Sequence, residues 1–277
     1  MKIVTDERCT GYASLGHPES PVRIKRTLEK LRTQTELPIQ WAEPLPVEEA
    51  SLLRAHTPPY LELLRHAEKP FDGDTPNYPN IYEHAVRSVG GALQALKIAR
   101  DGGRAFSLMR PPGHHATPGR AMGFCYLNAA AITACEAMAG GVPKVAVYDF
   151  DVHHGNGTEA ILLDRPGMAA FSIHQHPCYP GTGAENVGAN CFNYPVPPRT
   201  PRETYREILS QALDELKRFG PDLVVISAGF DAYAHEAIAQ ETLEVEDYYW
   251  LGQQINKLDR PACALLEIGR ASCRERV

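Results

Sequence analysis

The stretch VAVYDFDVHH, residues 145–154, places a short apolar run directly before a group of ionisable side chains. A run such as Val145 to Tyr148 is typical of a strand that is buried on both faces of a parallel sheet. Similar runs occur at 169–173, 223–226 and 262–266. Predicted helices separate these runs, and such alternation indicates a mostly parallel sheet with helices on both faces. The sequence therefore predicts an α/β fold.

The helices are predicted from the spacing of apolar residues and from start signals. The clearest begins near residue 200, where Thr200, Pro201 and Glu203 form a capping-box sequence with Pro at the first helical position. Behind it, apolar residues recur at helical spacing, namely Tyr205, Ile208, Leu209, Ala212, Leu213 and Leu216. Further helices are expected at 21–31, 59–66, 82–99 and 126–138. Because the sequence has no repeat or linker, residues 1–267 are predicted to form a single domain.

The composition excludes several classes of protein. The 277 residues carry a net charge of −6, and this mild acidity provides no electrostatic surface for nucleic acid. The apolar runs are far too short for a membrane span, and the charged first residues lack the apolar core of a secretory signal. Seven cysteines without a C-x-x-C pair indicate free thiols in a reducing compartment. We therefore expect a cytoplasmic protein with no nucleic-acid or membrane partner.

Ionisable residues follow several of the predicted strands, at the edge where ligands bind in open α/β sheets. Asp151 and His153 are two residues apart, so their side chains point the same way on an extended segment. With Asp231, which follows another strand, they offer two carboxylates and one imidazole, a set suited to catalytic zinc and also to Fe2+. Each residue alone would more simply be a helix cap or a buried core residue. Together they favour a metal site, because unpaired buried charges are costly.

Two adjacent histidines, His114 and His115, follow a Pro-Pro-Gly turn after the apolar run 105–109. A histidine beside a water molecule that a metal activates can act first as general base and then as general acid. Each such histidine needs a partner that fixes its tautomer, and Asp149 and Asn156 are the candidates. The alternative is a solvent-exposed pair in a loop, which the neighbouring motifs make less attractive.

Six ordered motifs resemble the zinc-dependent histone deacetylase superfamily, which includes the acetylpolyamine amidohydrolases. They are RPPGHH (110–115), GFCYLN (123–128), DFDVHHGNGT (149–158), SIH (172–174), YPGTG (179–183) and SAGFD (227–231). The motif HPESPVR, residues 17–23, is similar to the N-terminal motif of the family. The resemblance runs from about His17 to Glu267, and Asn156 with the context 175–177 resembles the class II branch.

This resemblance implies an arginase-like, three-layer α/β fold and hydrolysis of an N-acetyl amide on lysine or on a polyamine. It implies that three side chains bind the zinc ion, namely Asp151, His153 and Asp231. It also implies that His115 is the main general base and acid, with Asn156 behind it. His114, paired with Asp149, would help to polarise the water and to stabilise charge in the transition state. The sequence leaves open how the two histidines divide the proton transfers.

The resemblance also implies a narrow tunnel for the acyl-lysine stem. Phe124 and Tyr179 would form its walls, and the carbonyl of Gly123 would accept the amide N–H. A structural monovalent cation such as K+ would bind largely to carbonyl oxygens of Asp149, Asp151, His153, Ser172 and Ile173. The arginase relatives carry a further Asp two residues after the histidine ligand and bind a second metal. Gly155 stands at that position here, so we expect one metal and disfavour a guanidine hydrolase.

The end of the sequence departs from the family pattern. The family continues Leu-Leu-Glu with Gly-Gly-Tyr, whose tyrosine hydroxyl donates to the oxyanion, whereas Arg270 stands at that position here. Residues 268–277 back-translate in one frame to a widely used sequencing-adapter oligonucleotide. We therefore expect a non-native tail at 268–277 and a catalytic domain that is incomplete at its C-terminus. Since loss of one oxyanion donor typically lowers the rate by ~10²–10³, the chain as written is expected to be an impaired catalyst.

Three functions remain open at this point. The first is a metal-dependent deacetylase of acetyl-lysine, and the second is a non-catalytic acyl-binding module that lacks the tyrosine. The third is a deacetylase of acetylpolyamines or other small amides, which would favour acids near the tunnel mouth. Asp72, Asp74 and Glu236 are candidates for those acids, although a solvated loop charge is the simpler interpretation of each. Ile238 lies near where polyamine specialists tend to carry an acid and favours lysine or a small acyl substrate.

Overall fold

A computed structural model describes residues 1–268 of the chain. Its strands form one sheet, and they are β1 Lys2–Val4, β2 Gln40–Ala42, β3 Ala105–Ser107, β4 Val145–Asp149, β5 Met168–Gln175, β6 Cys191–Val196, β7 Leu223–Ala228 and β8 Ala262–Leu266. The strand order is β2-β1-β3-β8-β7-β4-β5-β6, and all neighbouring strands are parallel. The predicted parallel sheet is confirmed.

The helices fall mainly between the strands along the chain. They are α1 Val22–Thr33, α2 Glu49–Leu52, α3 Pro58–Arg65, α4 Ile81–Arg100, α5 Ala129–Ala139, α6 Asn156–Leu162, α7 Arg202–Phe219 and α8 Val245–Asn256. Among the described residues, no helix is both long and apolar enough to cross a membrane. Of the tail expected at 268–277, only Ile268 is described, and the other nine residues lie outside the described part of the chain.

The sheet has a separate apolar core on each face. Val145 and Val147 of β4 belong to one core together with residues of α4 and α5. Ala146 and Tyr148, which alternate with them, belong to the other core together with residues of α7. Because side chains alternate across a strand, one short apolar run serves both faces. The result is the three-layer arrangement that the sequence predicts.

Helix α7 has the predicted apolar stripe but a different start. Residues of the stripe are buried against the sheet, including Leu209 and Leu213. The predicted capping box is wrong: Pro201 is the N-cap, no side chain caps the helix, and the Thr200 hydroxyl donates instead to Pro197 O at 2.6 Å. A capping box is present at the start of α8, where Glu244 is the N-cap.

The topology fixes where a site can form. Strands β4 and β7 are neighbours, and the chain goes from β4 to β5 on one side but from β7 to β8 on the other. In open α/β sheets this switch point leaves a crevice at the carboxyl ends of the strands. Asp149, which ends β4, is in register with Ser227, one residue before the end of β7. The loops after β3, β4, β7 and β8 therefore meet at one edge.

Candidate active site

The three residues predicted to bind a divalent metal meet at the carboxyl edge of the sheet. The ligand atoms of Asp151, His153 and Asp231 all lie within 4.8 Å of one another, and all three residues are buried. His153 Nδ1 lies 3.1 Å from Asp151 Oδ1 and 2.9 Å from Asp231 Oδ2. The loop after β4 thus supplies two of the donors, and the loop after β7 supplies the third.

The donor set fits a divalent cation. One imidazole nitrogen faces two carboxylate oxygens, and Asp231 Oδ2 is buried without a hydrogen-bond partner among the described residues. Burial and the nearby charge of Asp151 raise the pKa of Asp231. Burial would also raise the pKa of Asp151, but His114 and His153 outweigh it and lower that pKa below its usual range. A cation bound by all three would satisfy these buried groups together.

His114 pairs with the carboxylate that ends β4. Its Nδ1 lies 3.0 Å from Asp149 Oδ2, and its Nε2 lies 3.7 Å from Asp151 Oδ1 and has no hydrogen-bond partner within residues 1–268. Burial opposes charge on this imidazole, but the carboxylates of Asp151 and Asp149 outweigh burial and raise the pKa of His114 to about 10. The protonated ring would therefore present an N–H beside the candidate metal ligands.

His115 pairs with a neutral amide. Its Nδ1 lies 2.8 Å from Asn156 Oδ1, at the first residue of α6. Burial and the charges of His114 and His153 lower the pKa of His115 well below its usual value. Because an amide oxygen only accepts, Nδ1 carries the proton and Nε2 keeps its lone pair. The two adjacent histidines, whose ring centroids are 4.0 Å apart, thus hold opposite protonation preferences.

Gly155 lies where a longer side chain would enter the site. A Cβ atom at this position would come within 2.5 Å of Asp149 Oδ2 and within 3.6 Å of His114 Nδ1. An aspartate here would therefore collide with the Asp149–His114 pair. This crowding agrees with the expectation of a single metal.

The predicted tunnel residues lie next to the two histidines. The ring of Tyr179 packs edge-on against His115, with centroids 5.0 Å apart. Gly123 is so close that a Cβ atom there would lie 2.4 Å from His115 Cδ2 and 2.9 Å from Tyr179 Cε1. Phe124 follows with φ 67, packs on His17 at 4.7 Å, and its backbone N–H donates to Thr75 Oγ1. The structure thus brings together the residues predicted to line the substrate slot.

The residues predicted to bind a monovalent cation lie on adjacent strands. Asp149 of β4 pairs with Ser172 of β5, and Ile173 follows in the same strand. Ser172 Oγ accepts a hydrogen bond from Gly155 N at 3.3 Å, which ties β5 to the loop that carries His153. Nothing among the described contacts tests cation binding, which stays a prediction.

The prediction missed a buried charge network behind the site. Arg110 forms ion pairs with Glu19, and Arg23 lies 3.1 Å from the same carboxylate. Arg110 also donates to Cys9 O at 2.9 Å and lies over the ring of Tyr12. Burial would raise the pKa of Glu19, but the two arginines lower it. Arg110 belongs to the motif at 110–115 and Glu19 to the motif at 17–23. Their presence in motifs that resemble the family was the sequence signal that could have identified them.

Glu267 was also missed as a site residue. Its Oε2 accepts hydrogen bonds from the backbone N–H groups of Gly113 at 2.7 Å and His114 at 3.1 Å. Its Oε1 accepts from the Ser227 hydroxyl at 3.1 Å, and burial raises the pKa of Glu267 to about 7. This carboxyl group therefore ties the histidine loop to the ends of β7 and β8. Glu236, predicted to be solvated, is buried instead.

Comparison of the sequence with known protein families identifies the class of protein. Residues 17–269 match the histone deacetylase domain family, and the chain belongs to that family. The similarity covers all the site residues described above.

Individual relatives are similar over most of the chain. The histone deacetylase-like amidohydrolase of Pseudomonas aeruginosa is 38% identical over 254 residues, which cover 85% of this chain and 66% of that protein. The acetylpolyamine amidohydrolase of Burkholderia pseudomallei is 37% identical over 209 residues, which cover 72% and 61%. The crystal structure of the HDA15 HD domain matches with a TM-score of 0.89 at 30% identity, over 97% of this chain and 86% of that one. The chain spans about two thirds of the length of the two curated relatives.

Proposed function

We propose that the protein is a metal-dependent amidohydrolase that removes the acetyl group from acetylated lysine side chains. The observation that carries this proposal is the position of the three-donor cluster beside two buried, partnered histidines. Relatives named as a histone deacetylase-like amidohydrolase and as an acetylpolyamine amidohydrolase support the same class of reaction. Acetylated lysine in a peptide is the proposed substrate.

We propose zinc as the metal, held by Asp151, His153 and Asp231, although the same donors suit Fe2+. When bound, the divalent ion would polarise the acyl carbonyl and lower the pKa of a water molecule. A structural K+ at Asp149 and Ser172 would support the loop that carries these donors.

His115 has the state that a general base requires. Asn156 holds its Nδ1, so the lone pair on Nε2 is available to accept a proton from the attacking water. The low pKa of His115 keeps the imidazole neutral before the reaction. The same nitrogen would then return the proton to the departing amine nitrogen, which completes hydrolysis of the amide.

His114 has the complementary state. Asp149 accepts from its Nδ1, and the raised pKa keeps the ring charged. A fixed positive charge here would stabilise the negative charge that develops on the acyl oxygen. Base and electrostatic roles thus fall to different histidines because their partners, an amide and a carboxylate, differ.

The slot beside Tyr179 would select the acylated amine. Aromatic walls from Phe124 and Tyr179 suit an alkyl chain, and the Gly123 carbonyl would accept the amide N–H. A free ammonium group would lose its hydration on entering such a slot, which is costly without a paired charge.

A second candidate substrate, an acetylpolyamine, is favoured by one observation. Asp72 and Asp74 are half-buried, and after burial itself their charges are the main cause that raises the pKa of Tyr179. Acids this close to the slot would attract a cationic amine. Half-buried Ile238 offers no such charge, and for that reason we place acetyl-lysine first.

The test is a turnover screen with zinc-loaded protein. We expect acetate release from acetyl-lysine peptides at a higher kcat/KM than from acetylspermidine or acetylputrescine. Asp231→Asn should abolish turnover and zinc binding while the fold persists by circular dichroism. A higher kcat/KM for the acetylpolyamines would move the assignment to the second substrate, and turnover that persists after removal of all divalent metal would overturn the proposal.

The residue at position 270 should limit the rate. Arg270 stands where the family tyrosine donates to the oxyanion, and it lies outside the described residues. We propose that replacing 268–270 with Gly-Gly-Tyr raises kcat by up to ~10²–10³. Binding of an acetylated peptide with no turnover in that variant would instead support a non-catalytic acyl-binding module.

We further propose that the protein works in the cytoplasm. Within residues 1–268 all six cysteines are free, and five of them are buried. A reducing compartment preserves such thiols. Fractionation of the source cells would test this assignment, and recovery in an oxidising extracytoplasmic compartment would contradict it.

A further inference from the structure

The loop that carries Tyr179 lies mostly on the surface. Residues 177–184 connect β5 towards β6, and within them Pro177, Gly181, Thr182 and Ala184 are exposed. The Tyr179 ring nevertheless lies 5.0 Å from the His115 ring and 6.3 Å from the His153 ring. An exposed loop that must hold one ring over a buried site requires fixed points of attachment. We call residues 177–184 the Tyr179 loop.

The first attachment is made by His154. Its Nδ1 lies 2.7 Å from Thr182 Oγ1, three residues after Tyr179. On its other side, Nε2 lies 3.3 Å from Glu159 Oε2 in α6. That carboxylate accepts from Asn193 Nδ2 of β6 at 2.6 Å, so it is itself held in place. His154 therefore connects the Tyr179 loop to the body of the protein, directly beside the candidate ligand His153.

The second attachment is made by His174 at the end of β5. Its Nε2 donates to Gly183 O at 3.0 Å, and its Nδ1 accepts from the Ser172 hydroxyl at 2.9 Å. Gly183 has φ +83, and a Cβ atom there would lie 2.4 Å from His174 Nε2 and 2.7 Å from His154 Cγ. The two histidine rings, 4.7 Å apart, therefore enclose Gly183 so closely that no side chain fits.

We propose that His154 and His174 are positioning residues that fasten the Tyr179 loop and so hold the aromatic wall of the slot against His115. Neither histidine touches the substrate in this arrangement. Their effect passes through the Thr182 hydroxyl and the Gly183 carbonyl to Tyr179. The kinetic part of this inference rests on the proposed deacetylase function, and the structural part does not.

Thr182 offers the cleanest test because it is exposed and its substitution should leave the core intact. Thr182→Val removes the hydroxyl that His154 meets and keeps the shape of the side chain, whereas Thr182→Ser retains the hydroxyl. Gly183→Ala is an independent variant that separates the loop from both histidines. Thr33→Val is the matched control, since its exposed hydroxyl bonds only within α1.

The first readout is hydrogen exchange of the peptide that covers 177–184. Loss of one hydrogen bond should speed this exchange roughly three- to tenfold in Thr182→Val and Gly183→Ala. Thr182→Ser and Thr33→Val should exchange at the wild-type rate. This measurement needs no turnover, so it tests the attachment even if the proposed activity fails. Wild-type exchange in both Thr182→Val and Gly183→Ala would overturn the inference.

The second readout is the split between KM and kcat for an acetyl-lysine peptide. A displaced wall should raise KM by about three- to tenfold and change kcat by less than about twofold. If these contacts served only stability, Thr182→Val and Gly183→Ala would unfold at a lower temperature but keep the wild-type KM and the wild-type hydrogen exchange of the loop. That outcome would contradict the inference. Recovery of the wild-type KM in Thr182→Ser would support it.

Discussion

The backbone N–H of Ile268 donates a hydrogen bond to Oδ2 of Asp151 across 3.0 Å. The other oxygen, Oδ1, accepts from the backbone N–H of His153, also at 3.0 Å. A carboxylate held on both oxygens keeps one orientation. Loss of a group that hydrogen-bonds to a metal ligand commonly lowers metal affinity by ~10–100-fold. Ile268, two residues after the end of β8, therefore helps to orient a candidate metal ligand that comes from the loop after β4.

Substitution of Ile268 by proline should weaken metal binding. Ile268→Pro removes the N–H that holds Asp151, so we expect the dissociation constant for zinc to rise by ~10–100-fold. Competition with a chromogenic chelator measures this constant directly. Ile268→Gly is the matched control, because it keeps the N–H and loses only the side chain. Equal zinc affinity in the proline and glycine variants would show that this hydrogen bond has no effect on the site.

The amide partner of His115 should set the pH dependence of turnover. Asn156→Asp places a negative charge 2.8 Å from His115 Nδ1 and stabilises the charged ring, so the pKa of His115 rises. Because the base must be neutral, the acid limb of the kcat/KM profile should move to higher pH. Exposed Asn256 offers the control, and Asn256→Asp should leave the profile unchanged. An unshifted limb in Asn156→Asp would argue against His115 as the base.

Much of this site could be predicted because a parallel sheet places all carboxyl strand ends at one edge. The convergence of Asp151, His153 and Asp231 follows from that rule once the two strands that precede them are recognised. The contribution of Glu267 could not be predicted this way, since its hydrogen bonds to the loop after β3 depend on β8 lying beside β3. The order of strands across a sheet cannot be predicted from the local spacing of residues along the chain.

Elements with weak apolar patterns were missed for a related reason. Strand β2 is at the sheet edge, and its residues are exposed or half-buried, so it lacks an apolar run. Helix α8 buries only Asp247 and Leu251, which leaves no stripe to detect. Helix α5 begins at Ala129, later than predicted, because the Asn128 side chain caps it by accepting from Ala131 N. An element that buries few of its side chains gives the sequence too few apolar positions for a clear periodicity.

Stability should fall on mild acidification because of His56. This buried ring lies 3.0 Å from Thr117 O and accepts from Asn128 N, and burial lowers its pKa to about 4 from 6.5. Between these values the unfolded chain binds a proton that the folded chain does not, so the free energy of unfolding decreases as the pH falls below 6.5. Between pH 7 and 5 this loss is about 2 kcal/mol.

Urea titrations at the two pH values measure that loss. His56→Gln removes the titrating ring, so its free energy of unfolding should fall by about 2 kcal/mol less than that of the wild type over the same range. Exposed His66 provides the control, and His66→Gln should behave like the wild type. An identical pH dependence in His56→Gln would rule out His56 as the cause.

The buried pair of Glu19 and Arg110 should be sensitive to the loss of one partner. Arg110 is fully buried, and Glu19→Gln would leave its charge uncompensated apart from carbonyl contacts. We expect unfolding to become easier by about 3–5 kcal/mol. The exposed pair Lys97–Asp101 is the control, and Asp101→Asn should change stability by less than about 0.5 kcal/mol. A loss below 1 kcal/mol, well short of the ~3 expected for a buried charge, would mean that Arg110 finds other compensation.

The position of β8 has a consequence for how the chain is made. Among the strands of residues 1–268, β8 comes last in sequence, yet it lies between β3 and β7 in the centre of the sheet. Until residues 262–266 have been synthesised, β3 and β7 lack the strand that pairs with both of them. Such unpaired edges invite misassembly with other nascent chains. The candidate base His115, after β3, and the candidate metal ligands after β4 and β7 lie on opposite sides of β8, so the candidate site depends on this strand being in place.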